Sequence, residues 1–184
     1  MGRKTMNLRF IKHRLRKSED GATAIEFAIL VMPFMMLLMG IFEIGAMLLV
    51  NYSMDDGIAD AARMIRTGQV DKKGITAAQF KEIACSKMHL VSDCTGKLYI
   101  DVRKFKDFAS VNLPPALDED GNLTGSVTKP SYKTGKPMDV VVVRAYYKWK
   151  FVTPLIGQFL ANMGGNQRLL TTGAAFRNEP YGDS

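Results

Sequence analysis

From Phe27 to Phe42 the chain reads FAILVMPFMMLLMGIF, with no charged residue. After Glu43 the apolar run resumes as IGAMLLV and ends at Val50. At about 1.5 Å per residue, residues 27–50 reach roughly 36 Å as a helix, enough to cross a bilayer with some tilt. Pro33 falls inside this run, and membrane helices tolerate the bend it imposes. Beyond Val50 the pattern changes. In NYSMDDGIADAARMIRT (51–67), apolar residues recur at Met54, Ile58, Ala61, Ala62 and Ile65. That spacing is the stripe of a helix with one buried face. No turn signal parts the two stretches, and Gly68 suits a helix stop. The pattern predicts one nearly continuous helix over about 22–67, its first half in a membrane and its second half packed on a domain.

Downstream the periods are shorter. TAAQFKEIACSKMHL (76–90) reads as an amphipathic helix whose Phe80, Ile83, Ala84 and Met88 share a face. KLYIDVRKF (97–105) alternates Leu98, Ile100 and Val102 with polar neighbours, a half-buried strand. Residues 109–137 are rich in Gly, Pro, Ser, Asp and Lys and read as a long surface loop with room for a short hairpin. DVVVVRAYYKWK (139–150) is the strongest strand signal, β-branched and aromatic. TPLIGQFLANM (153–163) looks helical, with Pro154 near its first turn, and Gly164-Gly165-Asn166 breaks it. RLLTTGAAFRN (168–178) reads as a final strand. Helix first and strands later make an α+β protein: a long N-terminal transmembrane helix continuing into a domain with an antiparallel sheet.

Charge sharpens this division. The 184 residues carry a formal net charge of +7 and a pI of about 9.4. Residues 1–20 hold seven Lys/Arg and two acids, which leaves the body with 18 basic and 16 acidic side chains, a net of +2. A basic tail serves either phosphate contact or a cytoplasmic anchor beside a membrane span. The apolar run that follows directly selects the anchor, so no nucleic-acid partner is expected. Only Arg63 and Arg66 are basic in the twenty residues after Val50. The positive-inside rule therefore puts the N-terminus in the cytoplasm and the domain outside it. A cleavable secretory signal fits poorly, because the nearest A-x-A, Ala59-Asp60-Ala61, lies well past the apolar run.

Cys85 and Cys94 fall in the outside portion, and an even pair in an oxidising compartment reads as a disulfide. Catalytic patterns are missing. There are two histidines, His13 in the tail and His89, and no H-E-x-x-H, P-loop, G-x-G-x-x-G or G-x-S-x-G. Asp55/Asp56 and Asp118/Glu119/Asp120 lack the EF-hand pattern and read as a solvated helix face and a loop tip. Met32, Met35, Met36, Met39 and Met47 read as adaptable apolar packing, not soft-metal ligands. No enzyme, cofactor or metal is expected. The informative side chains are carboxylates. An ionised carboxylate at a membrane helix centre costs roughly 2.5–3.5 kcal/mol, so it needs a reason and a partner. Glu43 either sits among headgroups near the outer face or meets a companion helix. Glu26, at the inner boundary, suits a first helical turn where the helix dipole favours anions.

Gly21, four residues, Glu26-Phe27 and a long apolar run after a short basic leader resemble the processing site of type IV pilin-like proteins. GATAIEFAIL resembles the pilin-like members of the tight-adherence (Tad) pilus system, and DAARMIRTGQ (60–69) and the closing FRNEPY (176–181) resemble the TadE-like family. The resemblance implies a division into a leader (1–21), a transmembrane helix (22–50), its amphipathic continuation (51–67) and a pilin-like periplasmic α+β domain (68–184). It implies cutting between Gly21 and Ala22 by an integral membrane prepilin peptidase, which takes the net charge from +7 to +2. Glu26, followed by Phe27, then meets the new α-amine, either of a neighbouring subunit or of the same helix, since Ala22 and Glu26 are i, i+4. Implied partners are other pilin-like subunits (a TadF-like partner and the major pilin) and the inner-membrane assembly platform. The retained domain implies a minor pilin, or pseudopilin, that initiates or assists assembly of an adhesion pilus, resident in the bacterial inner membrane or carried into the extracellular pilus. An uncut single-pass anchor presenting a binding domain is the other reading of the same residues. A mature chain starting with Ala, where many type IV pilins start with Phe or Met, leaves N-methylation open.

Overall fold

The computed structural model describes residues 19–153 and 156–181. Residues 1–18 of the basic leader (1–21), with His13, and the residue Pro154 lie outside the described residues. The chain divides into two compact units, one ending at Ile41 and the other beginning at Phe42. Helix α1 spans Glu19–Arg66 and includes Pro33. It is followed by the short α2 (Gln69–Lys73), then α3 (Ala77–Lys87) and α4 (Cys94–Lys97). Strands β1 (Leu98–Phe105), β2 (Val140–Lys150) and β3 (Gln167–Arg177) alternate with the short α5 (Gly125–Thr128) and α6 (Ile156–Leu160). The expected α+β class is what the chain adopts.

The three strands form an antiparallel sheet in the order β1-β2-β3. Leu98 pairs with Tyr147 and Phe105 with Val140; Val140 pairs with Arg177 and Lys150 with Gln167. Central strand β2 is buried on both faces over most of its length, which explains its near-continuous apolar run. Its odd positions Val141, Val143, Ala145 and Tyr147 join a core built with Met54, Ile58, Ile65 and Phe80. The predicted stripe of α1 is thus buried, residue for residue. Gly57 lets α1 and α3 approach closely, for a Cβ there would lie 2.5 Å from Met88. Helix α3 starts on a capping box in which Thr76 and Gln79 satisfy each other's backbone N–H.

The other sheet face explains the segment read as a surface loop. Tyr146, an even position of β2, is fully buried with Val127 and Leu169 under Ala116, Leu117, Leu123 and Met163. The 109–137 segment is a cover for that face. Leu117 bridges Leu123 across a tight turn in which the Asp118 carboxylate accepts the N–H groups of Asp120 and Asn122. The acids of this tip build the turn. The predicted 153–163 helix is shorter, Ile156–Leu160, because Asn162 and Met163 instead donate backbone bonds to Gln167 and lead into β3.

One buried ionic cluster pins the cover down. Asp101, 1% exposed, accepts from Arg103 Nε at 2.8 Å, Arg144 Nη2 at 3.0 Å and the Ser131 N–H at 2.8 Å. Arg144 Nη1 also donates to the Pro114 carbonyl at 3.0 Å, so two distant points of the cover are held from one strand pair. Burial pushes the Asp101 pKa up, but the bonds from Arg103, Ser131 and Arg144 outweigh it and hold the carboxyl below its ordinary value. Its stabilising contribution is therefore complete above the unfolded value of about 3.9 and is lost as pH falls through the lower folded value. Asp101→Asn is expected to cost about 3 kcal/mol at pH 6 by leaving Arg144 without its buried partner. It should also flatten the loss of stability below about pH 4, and identical acid slopes in urea unfolding of the two proteins would contradict this role.

Candidate functional site

The segment Gly21–Phe27 lies in the opening turns of α1, exposed at every position. Gly21 and Ala22 have helical backbones, and glycine, a poor helix former, makes this turn cheap to unwind. Among the described residues, no side chain pairs with the Glu26 carboxylate. From Ile25 to Phe42 large apolar side chains are exposed around the helix, among them Phe27, Leu30, Phe34, Leu37 and Phe42. A helix apolar on all sides and uncovered by protein belongs in lipid or against other apolar helices. It is long and apolar enough to cross a membrane.

The family model described as TadE-like protein matches residues 21–63. Over that stretch the chain is similar to the TadE-like family. Residues 64–184 lie outside that match, and no curated protein and no solved structure matches the chain.

The TadE-like segment runs on into the domain, and two of its acids, Glu43 and Asp55, are tied to that domain. Glu43 is buried, and its two carboxylate oxygens accept the backbone N–H groups of Val152 at 2.5 Å and Thr153 at 2.8 Å. Headgroups or a companion helix were the two readings of this residue; its partner here is the turn that follows β2, more than a hundred residues along the chain. No sequence signal marks that pairing, because the donors are main-chain groups that any residue carries. Asp55 is tied in the same way. It accepts from the Thr172 hydroxyl on β3 and, at 3.4 Å, from Asn51. Among the described residues, no group of three or more His, Cys, Asp or Glu is placed to hold a metal ion.

The other two family-like motifs meet. Helix α1 ends at Arg66, Gly68 turns the chain at φ +71°, and the Gly68 N–H caps the Ile65 carbonyl. The C-terminal strap closes over this end. Glu179 N–H donates to the Arg66 carbonyl at 2.9 Å, and the Glu179 carboxylate lies 3.3 Å from the Arg66 guanidinium. The Tyr181 ring sits where a Cβ on residue 68 would be, and its hydroxyl donates to Asp71 at 3.2 Å. Burial and the Asp71 carboxylate push that phenol up to about 12. So DAARMIRTGQ and FRNEPY, far apart in sequence, form one helix-capping unit. The Cys85 and Cys94 sulfurs lie 1.94 Å apart with their Cα atoms at 5.7 Å, joining the end of α3 to the start of α4.

Glu43→Ala should strip the Val152 and Thr153 N–H groups of their acceptor and cost about 2 kcal/mol. Hydrogen exchange at residues 152 and 153 should rise first, and Glu43→Gln, which keeps one carbonyl acceptor, should show a smaller effect. Unchanged protection at both amides would remove Glu43 from this role.

Proposed function

We propose that this TadE-like chain is a membrane-anchored, pilin-like structural subunit that acts in assembly of a Tad pilus as a minor pilin. The observation that carries the reading is the coincidence, on one helix, of Gly21, Glu26-Phe27 and an uncovered apolar surface up to Phe42 with the TadE-like match over residues 21–63. A prepilin peptidase cuts between Gly21 and Ala22 on the cytoplasmic side. The part of α1 in lipid is residues 22–42, roughly 32 Å long, shorter than the apolar run because Glu43 already bonds to the domain. The domain faces the periplasm, where Cys85 and Cys94 are held oxidised. The role is structural and not catalytic: the helix packs with a TadF-like partner, the major pilin and the assembly platform.

Cutting exposes an α-amine on Ala22 with a normal pKa near 8, so it is cationic at neutral pH. Glu26 is the nearest carboxylate of the apolar segment. Pairing the two between neighbouring subunits offsets the cost of taking both charges out of water and sets the register of the helices. This assigns the exposed Glu26 its partner in an assembly.

Intact-mass measurement of the protein made with and without the prepilin peptidase tests the processing. Loss of residues 1–21 only when the peptidase is present is expected, and Gly21→Leu should block it. Recovery of the Met1 terminus in both cells would instead favour the uncut single-pass anchor. Glu26→Ala should leave cutting intact and sharply reduce surface pili by electron microscopy; normal piliation in that variant would refute the charge-pairing role.

A further inference from the structure

The sheet has two outer edges, and the chain treats them differently. Along β1 the outward backbone groups of Val102 are taken. Its N–H donates to the Ser131 carbonyl at 2.8 Å, and the Lys133 N–H donates to its carbonyl at 3.0 Å. Arg103 and Lys104 add charge to that edge. Along β3 only the start is closed. The Leu169 N–H donates to Asn162 Oδ1 at 2.9 Å, and the N–H groups of Asn162 and Met163 donate to the Gln167 carbonyl at 3.1 Å. Backbone groups that point away from a neighbouring strand recur at every second residue. Those of Thr171, Gly173 and Ala175 therefore point the same way as the Leu169 N–H. All three residues are exposed, and their outward N–H and C=O groups have no partner among the described residues.

Nothing in the strand itself guards this edge. TTGAAF (171–176) has no charge, no proline and no bulge against β2, the devices that keep an exposed edge from pairing. The side chains also leave room. Thr171, Gly173 and Ala175 are small on the face that carries Tyr146. On the other face a groove opens beside Leu170 and Thr171, walled by Met47 and Leu48 of α1. A strand laid along β3 would send every second side chain toward that groove. At the far end of the edge Arg177 is exposed and pairs with no carboxylate among the described residues.

We propose that the free edge of β3 takes an added antiparallel strand from another protein over residues 171–177. The beginning of that fourth position is already held by Asn162 and Met163, which run antiparallel to β3, and an incoming strand continues their line. Main-chain hydrogen bonds supply the binding, and alternate side chains supply the choice of partner. The strand that fits carries a carboxylate opposite Arg177, small or β-branched residues between, and an apolar residue opposite Leu170 that enters the groove beside Leu48. A second copy of this chain fits less well. Paired about Gly173 it would set Arg177 opposite Leu169 and leave the guanidinium unmet. The inference is independent of cutting at Gly21 and stands or falls without it.

The probe is a capped, labelled peptide, Glu-Val-Thr-Val-Thr-Val-Thr-Leu, added to the full chain in detergent micelles. In antiparallel register its glutamate falls opposite Arg177 and its leucine opposite Leu170. Saturable binding by fluorescence anisotropy is expected, with slowed hydrogen exchange at the Thr171, Gly173 and Ala175 amides. N-methylating two peptide amides that face β3 leaves the protein untouched and should weaken binding about tenfold, the loss of two backbone hydrogen bonds. Ala175→Pro removes one outward N–H and keeps the ladder to β2, so it should weaken binding with the circular dichroism unchanged. Arg177→Glu should reverse the preference between this peptide and one with lysine in place of its glutamate. No binding, binding indifferent to N-methylation, or protection confined to other residues overturns the inference. Self-association of the chain without peptide, abolished by Ala175→Pro, also overturns it and assigns the edge to a second copy.

Discussion

One helix carries two kinds of surface. Residues 21–42 of α1 present apolar side chains in every direction, while residues 43–66 present a single buried stripe to a sheet. The backbone hydrogen bonds of a helix are internal, so the same element can pass from one setting to the other with no unsatisfied group at the boundary. Everything else in the protein is arranged around the second half. The sheet packs its odd-numbered β2 residues on the stripe, α3 closes in at Gly57, and the C-terminal strap caps the last turn at Arg66.

The change of surface is marked by Glu43. A carboxylate here has to be bonded, and the domain supplies two main-chain donors from the turn after β2. Donors that belong to the backbone cannot swing away as side chains can. The bond therefore fixes the domain to the helix at one level. The segment Gly21–Phe27 at the other end follows the opposite rule: it is exposed, opens at a glycine, and carries Glu26, which has no side-chain partner among the described residues.

The sheet shows a second division of labour. Three strands bury one face on helices, and the other face would lie open were it not for the 109–137 cover. That cover has little regular structure of its own. It is held by a fully buried aspartate, two arginines and a few apolar contacts under Tyr146 and Val127. Such ionic pinning adds less to stability than to specificity of arrangement, and it keeps a polar, glycine-rich segment in one place.

The long helix, the strands and their class were legible from periodicity, since burial on one side imposes a period of 3.6 or 2 that survives in a single chain. The apolar run of α1 and the TadE-like match from Gly21 onward were legible for a similar reason: local spacing carries them. The partners of Glu43, Asp55 and Asp101 were not legible, nor was the cover over Tyr146 or the union of Gly68 with Tyr181. Each joins residues far apart along the chain, mostly through main-chain groups or small side chains that leave no pattern. The amino-acid sequence by itself determined which segments are helix, strand and membrane-seeking, because those depend on near neighbours. Only the tertiary structure decided where the uncovered part of the helix ends and the packed part begins, because that boundary is marked by hydrogen bonds that exist only once the distant residues Val152 and Thr153 meet Glu43.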